Sequence, residues 1–582
     1  MSIEIKNAFK LDGTDHEKIL SPEKTMAIFK EKCAAAGLEI LETTRRIDNN
    51  RLGIPVYFSL CGHDAERLTR TRKQMGKGTT PALAEASAVM ELAERFSLYS
   101  FMEDRTNFIY DTYANVKDEA IPFELILKSV DDQAEAEELE ALETVFSRIR
   151  FKWAKAYNIT RNREMLIPLD WFFMINEFNG SSAGNGNEEA ICQGACEIVE
   201  RHVSALVDKN RPAPLFIDPE SIANPSTRGL VDKFNQAGVE LYITDFSLDT
   251  GIPTVGILAF DPSTFPHTSE MVWTAGTATN PDKAMSRALT EVAQLAGDFN
   301  TASNYLASGL PKFKSLKEAE YLIAPQKKGK ARWLRLDQLP DISSTNIKEE
   351  IGAITRALEK NGQELITLQT TDPRLGIPAF YSMVPGTSFR ERAANSSVAM
   401  FAARHIHENR PSEEAAEELA HMDKTLPGRY YIKFYRGICS LESGNAREAL
   451  DFLKTAMALD PGDQDIPSIC SYTGVSLKEL GEYENALPIL EKGVALDPDR
   501  EDIHNLMGFC HFMLKQHKRS VACFEKVLAL NPASAIDHAS IASNHRELGS
   551  TAEAIKHYEM ALALDPELDF ARENLQRLTN LN

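Results

Sequence analysis

Hydrophobic positions along this chain follow two rhythms. Through about residue 395, short apolar runs such as GIPVYFSL (53–60), MLIPLDWFF (165–173), PTVGILAF (253–260) and RLGIPAFYSMVPG (374–386) are expected to be strands. Segments with apolar residues at helical spacing separate them, and this mixture predicts an α+β or α/β domain. Farther on, the strand-like runs stop and the helical rhythm continues alone, so the remainder is predicted to be all-α.

The helical part repeats itself. ALDP ends at Pro461, ALDP at Pro498, ALNP at Pro532 and ALDP at Pro566, steps of 37, 34 and 34 residues, which is the tetratricopeptide (TPR) period. Gly437, Gly474, Gly508 and Ala542 recur where the two helices of a repeat must approach closely, opposite Leu453, Leu490, Phe524 and Tyr558. Gly444, Gly481 and Gly549 open the turn between helices, with Lys515 in that place in the third repeat. DFARENLQRLTNLN reads as a capping helix. The predicted organisation is a domain over 1–395, a linker or atypical leading helix over 396–428 (including HENRPSEEAAEELAHMDKTLPG), and four repeats with a cap over 429–582. Such arrays bind peptides or proteins, or only cap or dimerise a neighbouring domain.

A formal charge of −21 over 582 residues argues against nucleic acid as a partner, because phosphate contacts need a basic footprint. The eight cysteines form no C-x-x-C pairs and suggest reduced, buried thiols. No stretch resembles a signal peptide and no apolar run is long enough to span a membrane, so a cytoplasmic protein without a membrane partner is expected.

Two segments stand out chemically. NEEAICQGACEIVERH (187–202) is helical, with Glu189, Gln193, Glu197 and Glu200 along one face, yet it carries no lysine and is otherwise largely apolar. PALAEASAVMELAERFS (81–97) repeats the theme with Ser87, Glu91 and Glu94, and both segments end in E-x-x-E-R. Either these are two solvated acidic faces with local arginine pairing, or they face each other. In the second case each repelling pair at about 4 Å costs roughly 4 kcal/mol at an effective dielectric near 20. Protonation, arginine pairing or divalent cations would then be required. Oxygen-only ligands favour Mg²⁺, which usually shares its shell with nucleotide phosphates. Arg287 and Glu291 on a third helix could complement them, although alone they are a common i,i+4 pair. No standard phosphate loop is present, but Gly76-Lys77-Gly78 leads into the first acidic helix, a turn suited to anions.

Together these residues resemble the YcaO family, over roughly residues 13–390. The motifs are GKG…S-x-x-x-E-x-x-E-R (Gly76 to Gly78, Ser87, Glu91, Glu94, Arg95), AGN…E-x-x-x-Q-x-x-x-E-x-x-E-R (Ala183 to Asn185, Glu189, Gln193, Glu197, Glu200, Arg201) and RALTE (Arg287, Glu291). The resemblance implies a distinct ATP-binding fold with ATP and Mg²⁺ as cofactors. Glu91, Glu94, Glu197 and Glu200 would hold metal, with Glu189 beside them. Lys18, Thr25, Lys77, Ser87, Asn185, Gln193, Arg201, Arg287 and Glu291 would contact nucleotide.

It also implies an activity: a nucleophile adds to a peptide-backbone amide, the oxyanion takes the γ-phosphoryl group, and loss of phosphate leaves an azoline, thioamide or amidine. No catalytic residue is assigned. Several azoline-forming members end in a Pro-rich tail, whereas this chain passes through VPGTSFRERAANSS into the repeats, which leaves the product open. The repeats would recruit a peptide or protein substrate or a partner modification enzyme, and the chain is expected to form a homo-oligomer, a dimer. The alternative is an accessory scaffold for sulfur modification of a ribosomal protein, with ATP binding as a switch. A small-molecule ligase or kinase on the same fold is a third reading.

Overall fold

A computed structural model describes residues 3–11, 17–130, 132, 134–300, 309–389 and 397–580. The chain divides into two compact units, one comprising Met1–Glu135 and Ser147–Val398, the other Ala136–Phe146 and Ala399–Asn582.

The first unit is α+β, and its described residues form three sheets. One is the antiparallel ribbon Leu41–Arg46, Val56–Cys61, Lys73–Lys77. The second runs Val272–Thr277, Thr254–Phe260, Glu240–Asp245, Leu215–Ile217, Arg332–Leu334. The third runs Ile109–Thr112, Arg150–Asn158, Ile366–Gln369, Ala379–Met383, Ser181–Ala183, with Arg163–Pro168 paired to Arg150–Asn158. Every residue of Thr254–Phe260 and Val272–Thr277 is buried, so neither strand shows the regular polar alternation of a half-exposed one. Val255, Ile257 and Val272 share a core with Ala284, Ala288 and Val292 of the helix Pro281–Ala296. Of the predicted strands, MLIPLDWFF is divided: the strand stops at Pro168 and LDWFF opens the helix Leu169–Asn176. An apolar run buried on every side does not distinguish the two periods, and Pro168 supplies the break.

The second unit is a succession of helices. Residues 398–409 and 412–425 are helical, and Arg429 pairs with Glu138, which comes from the helix Ala136–Arg148. In the repeats, a Cβ at Gly437, Gly474 or Gly508 would lie within 2.9 Å of Leu453, Leu490 or Phe524 respectively, the close approach the repeat pattern requires. The architecture is an α+β domain followed by an all-α array of helices, as the hydrophobic rhythms predict. Among the described residues no helix is long and apolar enough to cross a membrane.

Candidate functional site

Each of the three sheets ends in a strand that runs directly into a long helix: Lys73–Lys77 into Pro81–Glu103, Ser181–Ala183 into Asn187–Asn210, Val272–Thr277 into Pro281–Ala296. Thr80 and Asn280 cap two of these helices, accepting from Leu83 N–H and Asp282 N–H, with proline in the first turn. The packing is cyclic. The first helix touches its own strand and Ser181–Ala183, the second touches Ser181–Ala183 and Val272–Thr277, and the third touches Val272–Thr277 and Lys73–Lys77.

Only small residues permit this approach. A Cβ at Gly76 would sit 2.0 Å from Ala88 N, and one at Gly276 would sit 2.4 Å from Ala288 N. In the middle unit the relation is inverted: Gly194 lies against Ser182, whose Oγ donates to Ala190 O at 2.7 Å.

These units carry the predicted charged residues to one place. Lys77, at the end of its strand, forms an ion pair with Glu291 of the third helix. Burial lowers its amine to about 8, while Glu200 and Glu91 favour its charge and Arg287 and Arg201 oppose it. Arg95 is 2.8 Å from Glu94 and 3.8 Å from Glu91, and its guanidinium lies over the Phe178 ring at 4.2 Å. Arg201 is 3.8 Å from Glu197. Burial raises the Glu91, Glu94 and Glu197 carboxyls, Glu94 to about 8, and in each the charge of a neighbouring glutamate adds to the effect. Two of the three expected remedies for converging acids are therefore visible, arginine pairing and a shift toward protonation. Backbone donors help as well: Gly180 N–H reaches Glu197 Oε2 at 3.3 Å and Thr277 N–H reaches Glu200 Oε2 at 2.8 Å.

A second group gathers at the start of the second helix. Asn185 Nδ2 donates to Glu189 Oε1 at 3.0 Å, Ile19 N–H donates to its Oε2 at 3.1 Å, and Lys18 Nζ is 3.6 Å away. Thr25 Oγ1 donates to Asn185 Oδ1 at 2.9 Å, and Arg287 Nη1 to Gln193 Oε1 at 2.6 Å. A small cavity opens here, lined by Lys10, Lys18, Glu189, Gln193, Arg287 and Glu350 among others. Ser87 is exposed, one turn before Glu91.

Lys10 and Glu350, joined at 2.6 Å inside the cavity, were not singled out by sequence, and neither carries a motif. The cyclic arrangement did leave a sequence trace. Gly76, Ala84, Ala88 and Glu91 have the same spacing as Gly276, Ala284, Ala288 and Glu291, and as Ser182, Ala190, Gly194 and Glu197.

Residues 75–388, more than half of the chain, match the family described as YcaO cyclodehydratase, ATP- and Mg²⁺-binding, and the protein belongs to that family. Residues 477–542 match a tetratricopeptide repeat. An uncharacterized protein of Methanothermobacter thermautotrophicus is 28% identical over 392 residues, 64% of this chain and 95% of that one. Among solved structures, a heterocyclase in complex with substrate and cofactor superposes with a TM-score of 0.53 at 22% identity, covering 67% of this chain and 55% of the other. That likeness is one of fold, and this chain spans about half of the heterocyclase. YcaO from Methanopyrus kandleri, bound with AMPPCP and Mg²⁺, gives 0.46 at 20% identity over 64% of this chain and 92% of that one.

The residues fit the family's ligands. The acids offer only oxygen donors, as Mg²⁺ prefers, and burial without full pairing leaves them short of positive charge. Arg201 Nε is buried with no hydrogen-bond partner among the described residues, a donor suited to an anion.

Proposed function

We infer that this protein uses ATP and Mg²⁺ to activate a backbone amide of a peptide or protein for post-translational modification, of which azoline and thioamide formation are the type reactions. The observation that carries the reading is the convergence of Lys77, Glu91, Glu94, Glu197, Glu200, Arg287 and Glu291 from three strand–helix units. Glu91, Glu94, Glu197 and Glu200 would hold Mg²⁺. Lys77, Arg201 and Arg287 would neutralise phosphate charge, and Lys18, Thr25, Ser87, Asn185, Gln193 and Glu291 would position the nucleotide. Glu189 would act at the edge of the metal shell, through Asn185 and Lys18. ATP with Mg²⁺ supplies the phosphoryl group that converts an amide oxygen into a leaving group. The protein contributes orientation and charge neutralisation, held by elements too closely packed to shift. Phosphate release that requires an added peptide, together with a mass change on that peptide, tests the reading. Phosphate release independent of every peptide and protein offered would favour a small-molecule substrate instead.

A second reading, an accessory factor whose output is partner binding, draws on the repeats. Most of the large apolar side chains exposed among the described residues lie there, including Phe509, Met513, Ile536, Met560 and Phe570. Truncation after residue 410 separates the two. Substrate turnover retained without the repeats favours the enzyme, whereas lost partner capture with intact ATP hydrolysis favours the scaffold.

A further inference from the structure

Where the helical unit begins, three chemically different ligand atoms meet. The helix Val398–Asn409 carries His407 in its last turn. The helix Tyr430–Glu442 presents Tyr435, Cys439 and Glu442 at i, i+4 and i+7, which is one face. His407 Nε2 lies 3.2 Å from Glu442 Oε1, and the imidazole packs against the Tyr435 ring with centroids 5.5 Å apart. Cys439 is fully buried, and its Sγ, an imidazole nitrogen and a Glu442 oxygen all lie within 4.8 Å of one another. Ser412, first residue of the helix Ser412–Thr425, donates to Glu442 Oε2 at 2.6 Å and so holds the carboxylate in place from its far side.

Ion pairing explains two of these groups but not the third. A histidine and a glutamate at 3.2 Å form an adequate hydrogen bond, but a thiol at the same point adds only a weak donor and a weak acceptor. Sulfur, nitrogen and oxygen together form the donor set of a borderline divalent cation. Mg²⁺ and Ca²⁺ take oxygen ligands and would be poorly served here. We propose that His407, Cys439 and Glu442 form a zinc-class metal site that ties the helix Val398–Asn409 to the helix Tyr430–Glu442, with the remaining coordination open to water on the half-exposed Glu442 side. On binding, the Cys439 thiol proton passes to solvent, His407 coordinates as the neutral imidazole, and no redox change is involved. The Ser412 hydrogen bond plays the orienting part that outer partners play for metal-bound carboxylates.

The test uses the full chain, stripped with a chelator and titrated with Co²⁺, then Zn²⁺. A thiolate-to-cobalt charge-transfer band is expected in the near ultraviolet, saturating at one Co²⁺ per chain and displaced by Zn²⁺. Cys439→Ser should lack the band while the other cysteines remain in place. Glu442→Gln should weaken Co²⁺ binding about tenfold or more without lowering the melting temperature of the metal-free protein. Absence of the band in the wild type, or a band unchanged in Cys439→Ser, would overturn the proposal. Should the serine variant fail to fold, Glu442→Gln decides alone, and wild-type affinity in it would be equally fatal.

Discussion

Thr277, the last residue of its strand, donates its backbone N–H to Glu200 Oε2 at 2.8 Å. The bond joins the end of one sheet to a helix that grows from another, so the carboxylate is positioned by main chain as well as by its own helix. Elsewhere in the ring the main chain sets the fit through the close strand–helix approaches at Gly76 and Gly276, which is why the predictions concern backbone fit as much as charge.

Glycine at the strand–helix contacts should be intolerant of a single carbon. Gly76→Ala and Gly276→Ala each push a Cβ into backbone of the facing helix, at 2.0 and 2.4 Å. A destabilisation of about 3 kcal/mol or more is expected in urea unfolding. Gly229→Ala is the control: it sits in the helix Pro225–Gln236 with nothing among the described residues within 4 Å of the added carbon. It should gain about 0.5–1 kcal/mol.

Without cation the acidic site should weaken the fold as pH rises. Glu94 is raised from 4.5 to about 8, chiefly by burial, so the folded state keeps a proton that the unfolded state gives up. Its contribution is therefore at its best below pH 4.5 and declines as pH climbs toward 8. Urea melts from pH 5 to 9 should show this decline, reduced by Mg²⁺ with ATP and reduced in Glu94→Gln. Calorimetry near neutral pH should also find protons released as Mg²⁺ binds.

His202 should act in the opposite direction. Burial lowers it from 6.5 to about 4, and its Nδ1 accepts from Ser388 N–H at 2.9 Å. Below pH 6.5 the unfolded state takes the proton first, so stability present above that pH is lost as pH falls toward 4. The loss should be on the order of 3 kcal/mol, and His202→Gln should flatten that part of the profile.

The third repeat contains a residue in the wrong conformation for its type. Lys515 has φ +59°, in the place where Gly444, Gly481 and Gly549 also have positive φ. Lys515→Gly should raise the urea midpoint by a net stabilisation of about 0.5 kcal/mol, since relief of left-handed strain exceeds the entropic cost of glycine. An unchanged or lower midpoint would contradict that reading.

The acidic helices were legible because one-turn spacing places Glu91 with Glu94 and Glu197 with Glu200 whatever the tertiary fold. Spacing says less about distance along a helix. Glu189 shares a face with Glu197, but eight residues correspond to about 12 Å of rise, and its partners are Lys18, Ile19 and Asn185. The repeats were legible for a different reason: each packing contact lies within one short unit, so Gly437 already implied Leu453. The ring of three strand–helix units was not read in advance. Most of its equivalent positions differ in chemistry, Lys77 against Ala183 and Thr277, Ser87 against Gln193 and Arg287, so the repeat is preserved only in the small residues that set helix–strand distance and in Glu91, Glu197 and Glu291. Lys10 and Glu350 belong to chain segments 340 residues apart, and no local pattern announces such a pair.

The most direct measurement is calorimetric titration of ATP into wild type and Glu197→Gln, with and without Mg²⁺. Glutamine keeps the shape and removes a buried charge that the fold holds at a cost, so the variant should melt no lower than the wild type. Mg²⁺-dependent binding should weaken by about a hundredfold, roughly 2.7 kcal/mol. Equal Mg²⁺-dependent affinity in the two proteins would contradict the account.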